Sequence, residues 1–468
     1  MSFEYHHLDK WGYANLDLCE EILETRSKAV VLISGASSSG KTFTAAYLKS
    51  LLEASNHHAL VLSLDQYNIG LSGIIPNKVN ANLFQDSLPH FDTIKKRIKD
   101  IIVDVPFDQK YADPVLKKIG ESISSLLPND TLKHFLEGLS KEWKLLNFDE
   151  PSVYDLAEAA RDILALVNNQ KVSEKLYSKI VSERVPSKAI YDGSEFDIVI
   201  VEGIYALNPL FLQDLHGVSI VKDFIDGNPK SLFLRRIIRD VKMTSSSSAF
   251  TTKIYFKYIV KSYHETILPC RSFADVILNN NISFSELRAG DLYTTRDNIA
   301  ILNPNALVEL KAKGDIESVV YEKDFYFVAP EENQEANNIL RFREVSKDQG
   351  KTYVPFSLVH KGAPKVRKDN KIVRPINVLL DESGIGSVWA DEQACLNDFL
   401  KAGFTVSRIE KKIKTKLSYQ GQQIALFEVA GKNSYLEFSL DKVEPSYSLI
   451  RAMVEKTPLS EPGVERRR

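Results

Sequence analysis

Residues 29–42 read AVVLISGASSSGKT. The first five form an unbroken apolar run, the mark of a strand buried on both faces. Gly35 to Thr42 then fits GxxxxGK[ST] without deviation, and residues 43–54 carry a helical apolar pattern. Strand, small-residue turn and helix, in that order, are the context in which this motif cradles phosphates. Small side chains let backbone N–H groups close around phosphate oxygens, and the helix N-terminus adds partial positive charge. The expected ATP-binding residues are Gly35, Ser37, Ser38, Ser39, Gly40, Lys41 and Thr42. Lys41 is placed to reach the β and γ phosphates, and the Thr42 hydroxyl to ligate Mg²⁺.

Further buried strands are expected at 59–64 (ALVLSL), 197–201 (DIVIV), 218–224 and 275–278, with helices between them. That alternation predicts a parallel α/β sheet. Asp65 and Glu202 end two of these strands. Ligands of open α/β sheets bind beyond the carboxyl ends of the strands, so both carboxylates can face the phosphates. One would take a proton from an incoming hydroxyl and the other would hold the metal. Ordinary strand-end polar residues are an equal alternative on this pattern alone. Residues 71–146 read as a mostly helical insertion divided by Pro106, Pro114 and Pro128.

The pattern changes after residue 280. Residues 281–305 hold several asparagines and Pro304 and read as a linker. Period-two strands are then expected at 308–313, 340–344, 356–361, 406–419, 423–429 and 435–440, an antiparallel domain. Alternation puts Glu309, Lys311 and Lys313 on one face, as it does Arg341 with Arg343, and Lys412 with Lys414 and Lys416. Lys361 and Arg374 add cations. In a closed barrel these charges would point inward and require an anion such as a phosphate chain. On pattern alone, solvated charges on a half-exposed sheet are the plainer reading.

The 468 residues carry 60 Lys+Arg against 62 Asp+Glu, a net charge of −2. That excludes the strongly basic type that wraps nucleic acid, and nucleic acid is not an expected partner. Cys19, Cys270 and Cys395 stand far apart, which argues against a disulfide framework and fits a reducing compartment. The start lacks a signal-peptide pattern, and no run approaches the ~20 apolar residues of a membrane helix. A cytoplasmic protein without membrane partners is expected, with self-association left open. His6-His7, His57-His58, the basic run 95–99 and the end 465–468 read as surface features.

The ordered segments GASSSGKT, LDQYN from Leu64, NFDEP from Asn147, IVIVEGIYAL from Ile198, LRRIIRD from Leu234 and ILPCRSFADVILNN from Ile267 resemble the uridine kinase and phosphoribulokinase family of P-loop kinases. The resemblance covers residues 29–280. It implies transfer of a phosphoryl group from ATP to a nucleoside-like hydroxyl. It would make Asp65 the general base, bring Glu202 near Mg²⁺ and set Arg236 and Arg239 in a lid over the phosphates. Tyr67, Asp149, Tyr177 and Arg184 would line the acceptor pocket. The chain departs from the family at Glu150, where histidine is usual, and at Ser178-Lys179, where the family reads Asp-Phe. An expected arginine pair is missing from 241–250, which offers only Lys242.

The second domain is similar to CYTH domains, the triphosphate tunnel fold, over residues 306–442. The carrying segments are LVELKAK from Leu307, LRFRE from Leu340, LVHKGAP from Leu358, KTKLSY from Lys414 and YLEF from Tyr435. The two-domain order looks like that of certain plant triphosphate tunnel proteins. The resemblance implies metal held by Glu309 and Glu437, with fewer acidic positions than usual, since Ile376, Phe427 and Ser439 fall where carboxylates are frequent. The expectation is a tunnel that binds a polyphosphate or nucleotide and hydrolyses it slowly or not at all. The expected architecture is a lead-in (1–28), a P-loop parallel-sheet domain, a linker, an antiparallel β-barrel α+β domain and a tail (443–468). The leading reading is an ATP- and Mg²⁺-dependent nucleoside-type kinase. The alternatives are a tunnel phosphohydrolase with a nucleotide-binding pseudokinase, and a non-catalytic nucleotide or polyphosphate sensor.

Overall fold

Strand β2 (Ala29–Gly35) is buried along its whole length and forms the spine of the first half of the chain. The computed structural model describes residues 2–102, 112–179, 181–243, 248–281, 296–328, 339–346, 348–361, 365–366, 372–373, 376–439, 443–457 and 459. The chain divides into two units, Met1–Arg239 with Tyr258–Asn281, and Asp240–Lys257 with Ile282–Arg468.

In the first unit β2 is flanked by β1 (Phe3–Tyr5), β3 (Ala59–Ser63), β4 (Ile198–Glu202), β5 (Ile220–Asp226) and β6 (Val276–Asn279). The order is β1-β6-β5-β2-β4-β3, and every pairing is parallel. Successive side chains of β2 supply two cores, because strand residues alternate between faces. Val30 and Leu32 pack with Leu60, Leu62, Val199 and Phe211. Val31 and Ile33 pack with Trp11, Cys19, Leu48 and Ile200. Residues 1–28 are thus more than a polar lead-in. Phe3–Tyr5 adds a parallel edge strand to β6, and the helix Leu8–Thr25 buries Trp11, Leu16 and Cys19.

The insertion between β3 and β4 holds the helices Leu71–Phe84, Phe91–Ile102, Ala112–Ile123 and Asn129–Leu145. They share a core of their own, including Ile75, Ile98, Ile119, Phe135 and Trp143.

In the second unit one antiparallel sheet joins β7 (Arg296–Ala300), β8 (Asp315–Val328), β9 (Ile339–Ser346), β10 (Val354–Lys361), β11 (Ile376–Leu380), β12 (Thr405–Tyr419), β13 (Gln422–Val429) and β14 (Tyr435–Ser439). Its order is β7-β14-β13-β12-β8-β9-β10-β11, with β7 and β11 at the edges. Phe325, Phe342 and Leu358 on one face pack with Ile385 of the helix Ile385–Val388, with Trp389 just after it and with Cys395 of the helix Glu392–Lys401.

One expected strand is a helix. Residues 308–313 belong to the helix Pro304–Lys313, and the strand comes next, as β8. The Asn303 side chain accepts from the backbone N–H of Asn305, and Pro304 stands in the first turn. Asn before Pro is a helix start, since the missing N–H of proline costs nothing there. Glu309, Lys311 and Lys313 therefore leave the sheet. Glu309 pairs with Lys313 at 2.8 Å along the helix, and Lys311 pairs with Glu428. Residues 443–454, expected in a tail, form the helix Val443–Val454.

Candidate functional site

The ends of β2, β3 and β4 lie side by side: Ile33 and Ser63 are both in register with Glu202. This alignment brings the phosphate loop and the two strand-end carboxylates to one edge. The loop depends on two glycines. Gly35 has φ +148°, and a Cβ there would stand 2.4 Å from the Ile225 carbonyl oxygen. Gly40 has φ +105°, and a Cβ would stand 2.6 Å from Asn280 Nδ2. Lys41 starts the helix Lys41–Ala54, is buried and donates to the Ala36 carbonyl at 2.8 Å. Burial pushes its pKa down. The hydroxyls of Ser38 and Ser39 are buried with no hydrogen-bond partner among the described residues.

The Thr42 hydroxyl donates to Glu202 Oε1 at 3.2 Å. Glu202 is 4% exposed, and burial raises its pKa against the opposing effect of Lys41. A hydroxyl and a carboxylate at one point are hard oxygen donors of the kind Mg²⁺ takes, so these two residues fit the expected ion. Asp65 lies in the turn Leu64–Tyr67 after β3, and Lys179 Nζ stands 2.7 Å from its Oδ2. Burial alone would raise the Asp65 pKa. Lys179 above all, then Lys41 and Arg239, hold it below the ordinary carboxylate value.

The helix Pro229–Met243 carries three arginines with separate roles. Arg239 donates to Ser37 Oγ at 2.9 Å. Arg235 donates to the Ser39 carbonyl at 3.2 Å and to that of Asn280 at 3.0 Å. Asn280 Nδ2 also reaches the Ser39 carbonyl, at 2.7 Å. Arg236 instead pairs with Asp149 at 2.7 Å. Arg235 and Asn280 were not among the expected site residues. Spacing alone does not separate Arg235 from Arg236: position 235 is four residues from 239 and position 236 three, and both neighbour it on the helix surface.

The expected acceptor residues do not share one role. Asp149 is 5% exposed and its carbonyl accepts from the Tyr205 hydroxyl at 2.6 Å. Tyr67 is buried, with its hydroxyl on Asp162 at 2.9 Å. Arg184 clamps the turn after Asp65, donating to the Asn68 and Tyr67 carbonyls at 2.8 Å each and pairing with Glu158 at 2.7 Å. Tyr177 sits on a short hairpin opposite Arg184, and burial raises its pKa. Glu150 pairs with Lys78 of the helical insertion at 2.5 Å.

In the second unit the face of the sheet away from the helices Ile385–Val388 and Glu392–Lys401 carries charge. Arg343 pairs with Asp324 and with Glu322, and Lys412 Nζ stands 2.6 Å from Asp324. Arg341 stands 3.9 Å from Asp324. Glu322 and Asp324 escaped the sequence reading because β8 itself did. Lys416, Ala425 and Glu437 occupy one row across β12, β13 and β14. With Lys414, Glu317, Gln423 and Ser446 they line a cavity of about 310 Å³. Burial lowers the Lys414 pKa. Of the expected metal pair, Glu437 lines this cavity and Glu309 lies on the helix Pro304–Lys313. Among the described residues no group of three His, Cys, Asp or Glu is placed to hold a metal. Lys361 lies on β10, and Arg374 falls outside the described residues.

The model of the Phosphoribulokinase / Uridine kinase family matches residues 93–283. A uridine kinase of Streptococcus gordonii is 30% identical over 150 residues, spanning 32% of this chain and 68% of that protein. The chain belongs to the phosphoribulokinase/uridine kinase family. A uridine kinase of Latilactobacillus sakei is 26% identical over 195 residues, 41% of this chain and 87% of the relative. A solved structure described as a possible uridine kinase from Bacillus stearothermophilus covers 58% of this chain and 98% of its own, with TM-score 0.29 and 14% identity. The match to the phosphoribulokinase/uridine kinase family ends before β7, so it does not extend into the antiparallel sheet. Among the described residues no helix is long and apolar enough to cross a membrane.

Proposed function

We propose that the first unit is an ATP- and Mg²⁺-dependent kinase that phosphorylates a hydroxyl of a nucleoside or similar small-molecule acceptor. The observation that carries this reading is the convergence at the strand ends: Thr42 3.2 Å from Glu202, beside the phosphate loop, with Glu202 in register with Ser63, two residues before Asp65. Thr42 and Glu202 would hold Mg²⁺, which neutralises developing charge on the phosphates when bound. The loop and Lys41 orient the triphosphate, and Arg239, at Ser37, extends that cationic surround. Asp65 accepts the proton of the acceptor hydroxyl. A carboxylate at its ordinary value is already ionised at neutral pH, and the surrounding cations lower the Asp65 pKa further, so position rather than basicity qualifies it.

The test is label transfer. Incubation with γ-labelled ATP, Mg²⁺ and a panel of nucleosides and small acidic alcohols is expected to place label on one acceptor, and Lys41→Ala is expected to abolish it. Label found solely as free phosphate, and persisting in Lys41→Ala, contradicts the reading.

For the second unit we propose a site for a polyphosphate or nucleotide, of the tunnel type, at the cavity lined by Lys414 and Lys416. The internal pairing of Glu322 and Asp324 with Arg343 and Lys412 favours binding over metal-assisted hydrolysis, because those carboxylates already have partners. Tripolyphosphate binding by calorimetry, weakened in Lys414→Ala, supports the assignment; unchanged binding removes it.

A further inference from the structure

The pairing of Lys179 with Asp65 bears on acceptor choice, and the inference rests on the kinase reading above. Asp65 feels Lys41 from the start of the helix Lys41–Ala54 and Arg239 from the helix Pro229–Met243, while Lys179 comes from the turn after the short strand Leu176–Ser178. Tyr154 and Tyr177 lie close enough for the Asp65 charge to act on both. Of the other carboxylates of this region, Asp149 has Arg236, Glu150 has Lys78 and Glu202 feels Lys41. Lys179 is thus the cation engaged by the carboxylate that must receive the acceptor's proton. Its side chain is 51% exposed, so it can leave.

A neutral alcohol reaching Asp65 must compete with an ammonium for the same carboxylate, and it offers that ammonium nothing in return. An acceptor with an anionic group beside its reacting hydroxyl gives Lys179 a second partner. Charge-assisted hydrogen bonds are about twice as strong as neutral ones, so the exchange favours the anionic acceptor.

We propose that Lys179 is a specificity-determining residue that latches Asp65 and is released by an acceptor alcohol carrying an anionic group one or two carbons from the hydroxyl. On release, the hydroxyl proton passes to Asp65 and the hydroxyl oxygen bonds to the γ-phosphorus. The bond from that phosphorus to the β,γ-bridging oxygen breaks, and ADP leaves with the electron pair. The anion stays paired with Lys179.

The test uses the full chain with Mg²⁺ and ATP, and three probes: glycerate, glycerol as its neutral counterpart, and uridine. The expected result is kcat/KM for glycerate at least about tenfold above glycerol and uridine, with the ratio collapsing in Lys179→Ala as uridine improves. Lys179→Gln, which keeps the side chain's length without its charge, is expected to behave as Lys179→Ala does. Wild-type protein that prefers uridine, or a glycerate-to-glycerol ratio unchanged in both variants, overturns the proposal and leaves the kinase reading standing. No transfer to any probe in wild type or variants counts against the kinase reading, and the role of Lys179 falls with it.

Discussion

Arg343 holds Asp324 through two hydrogen bonds, Nε to Oδ1 at 2.7 Å and Nη2 to Oδ2 at 2.9 Å, at a residue with no solvent exposure. Lys412 adds a third bond at 2.6 Å. Lys412 and Arg341 still face Asp324 when Arg343 is removed, so the loss is that of hydrogen bonds between charged groups, about 1.5–3 kcal/mol. Arg343→Leu is therefore expected to lower the stability of the second unit by about that amount, read by urea denaturation. Loss below about 1 kcal/mol would mean that water or a neighbour replaces the guanidinium.

The same group sets an acid limit. Burial would raise Asp324, but Arg343, then Lys412 and Arg341, bring its pKa down to about 2. A depressed carboxylate stabilises the fold above its ordinary value of about 3.9 and loses that contribution as pH falls towards the folded value. Asp324→Asn is expected to be less stable than wild type at neutral pH, with the difference shrinking as pH falls below about 4. A pH-independent difference contradicts the assignment.

Glu344 behaves in the opposite sense. It is 1% exposed, faces Lys323, Glu392 and Asp391, and has its pKa raised to about 7, chiefly by burial and then by Glu392. Its stabilising contribution is complete below its ordinary value of about 4.3 and is lost as pH rises through the folded value. Glu344→Gln is expected to flatten the decline in stability between about pH 5 and pH 7. An unchanged slope would place the titrating group elsewhere.

The arginines of the helix Pro229–Met243 should separate kinetically. Arg235→Ala removes donors from the Ser39 and Asn280 carbonyls and is expected to raise KM for ATP. Arg236→Ala releases Asp149 and is expected to raise KM for the acceptor. Hydrogen bonds involving charged groups are worth about 1.5–3 kcal/mol, so changes of about 10- to 100-fold are expected in each case. Identical kinetic effects from both substitutions would contradict the division of roles.

The first unit was legible where local chemistry and topology agree. The GxxxxGK[ST] loop fixed the nucleotide edge, and the apolar runs ending in Asp65 and Glu202 pointed to it, because parallel strands present their carboxyl ends together. The second unit was legible in its later strands, 339–361 and 405–439, but not in its first central one. Residues 307–313 satisfy both periods, with apolar side chains at 308, 310 and 312 and at 307 and 310. The Asn303–Pro304 start decides for the helix. β8 carries Glu322, Lys323 and Asp324 in mid-strand, and the composition hides it because those charges find partners on other elements, Arg343 and Lys412 on neighbouring strands and Glu392 on the helix Glu392–Lys401. Trp11 is a similar case: nothing in the polar lead-in marked a side chain with no exposure against β2.

The most direct test of the central claim separates nucleotide binding from transfer at Asp65. ATP binding by calorimetry and label transfer to the accepted alcohol would be measured for wild type and Asp65→Asn. A general base contributes about 10²- to 10⁴-fold, so transfer is expected to fall by that factor while ATP affinity stays within about threefold of wild type. Transfer that survives Asp65→Asn undiminished would contradict the account.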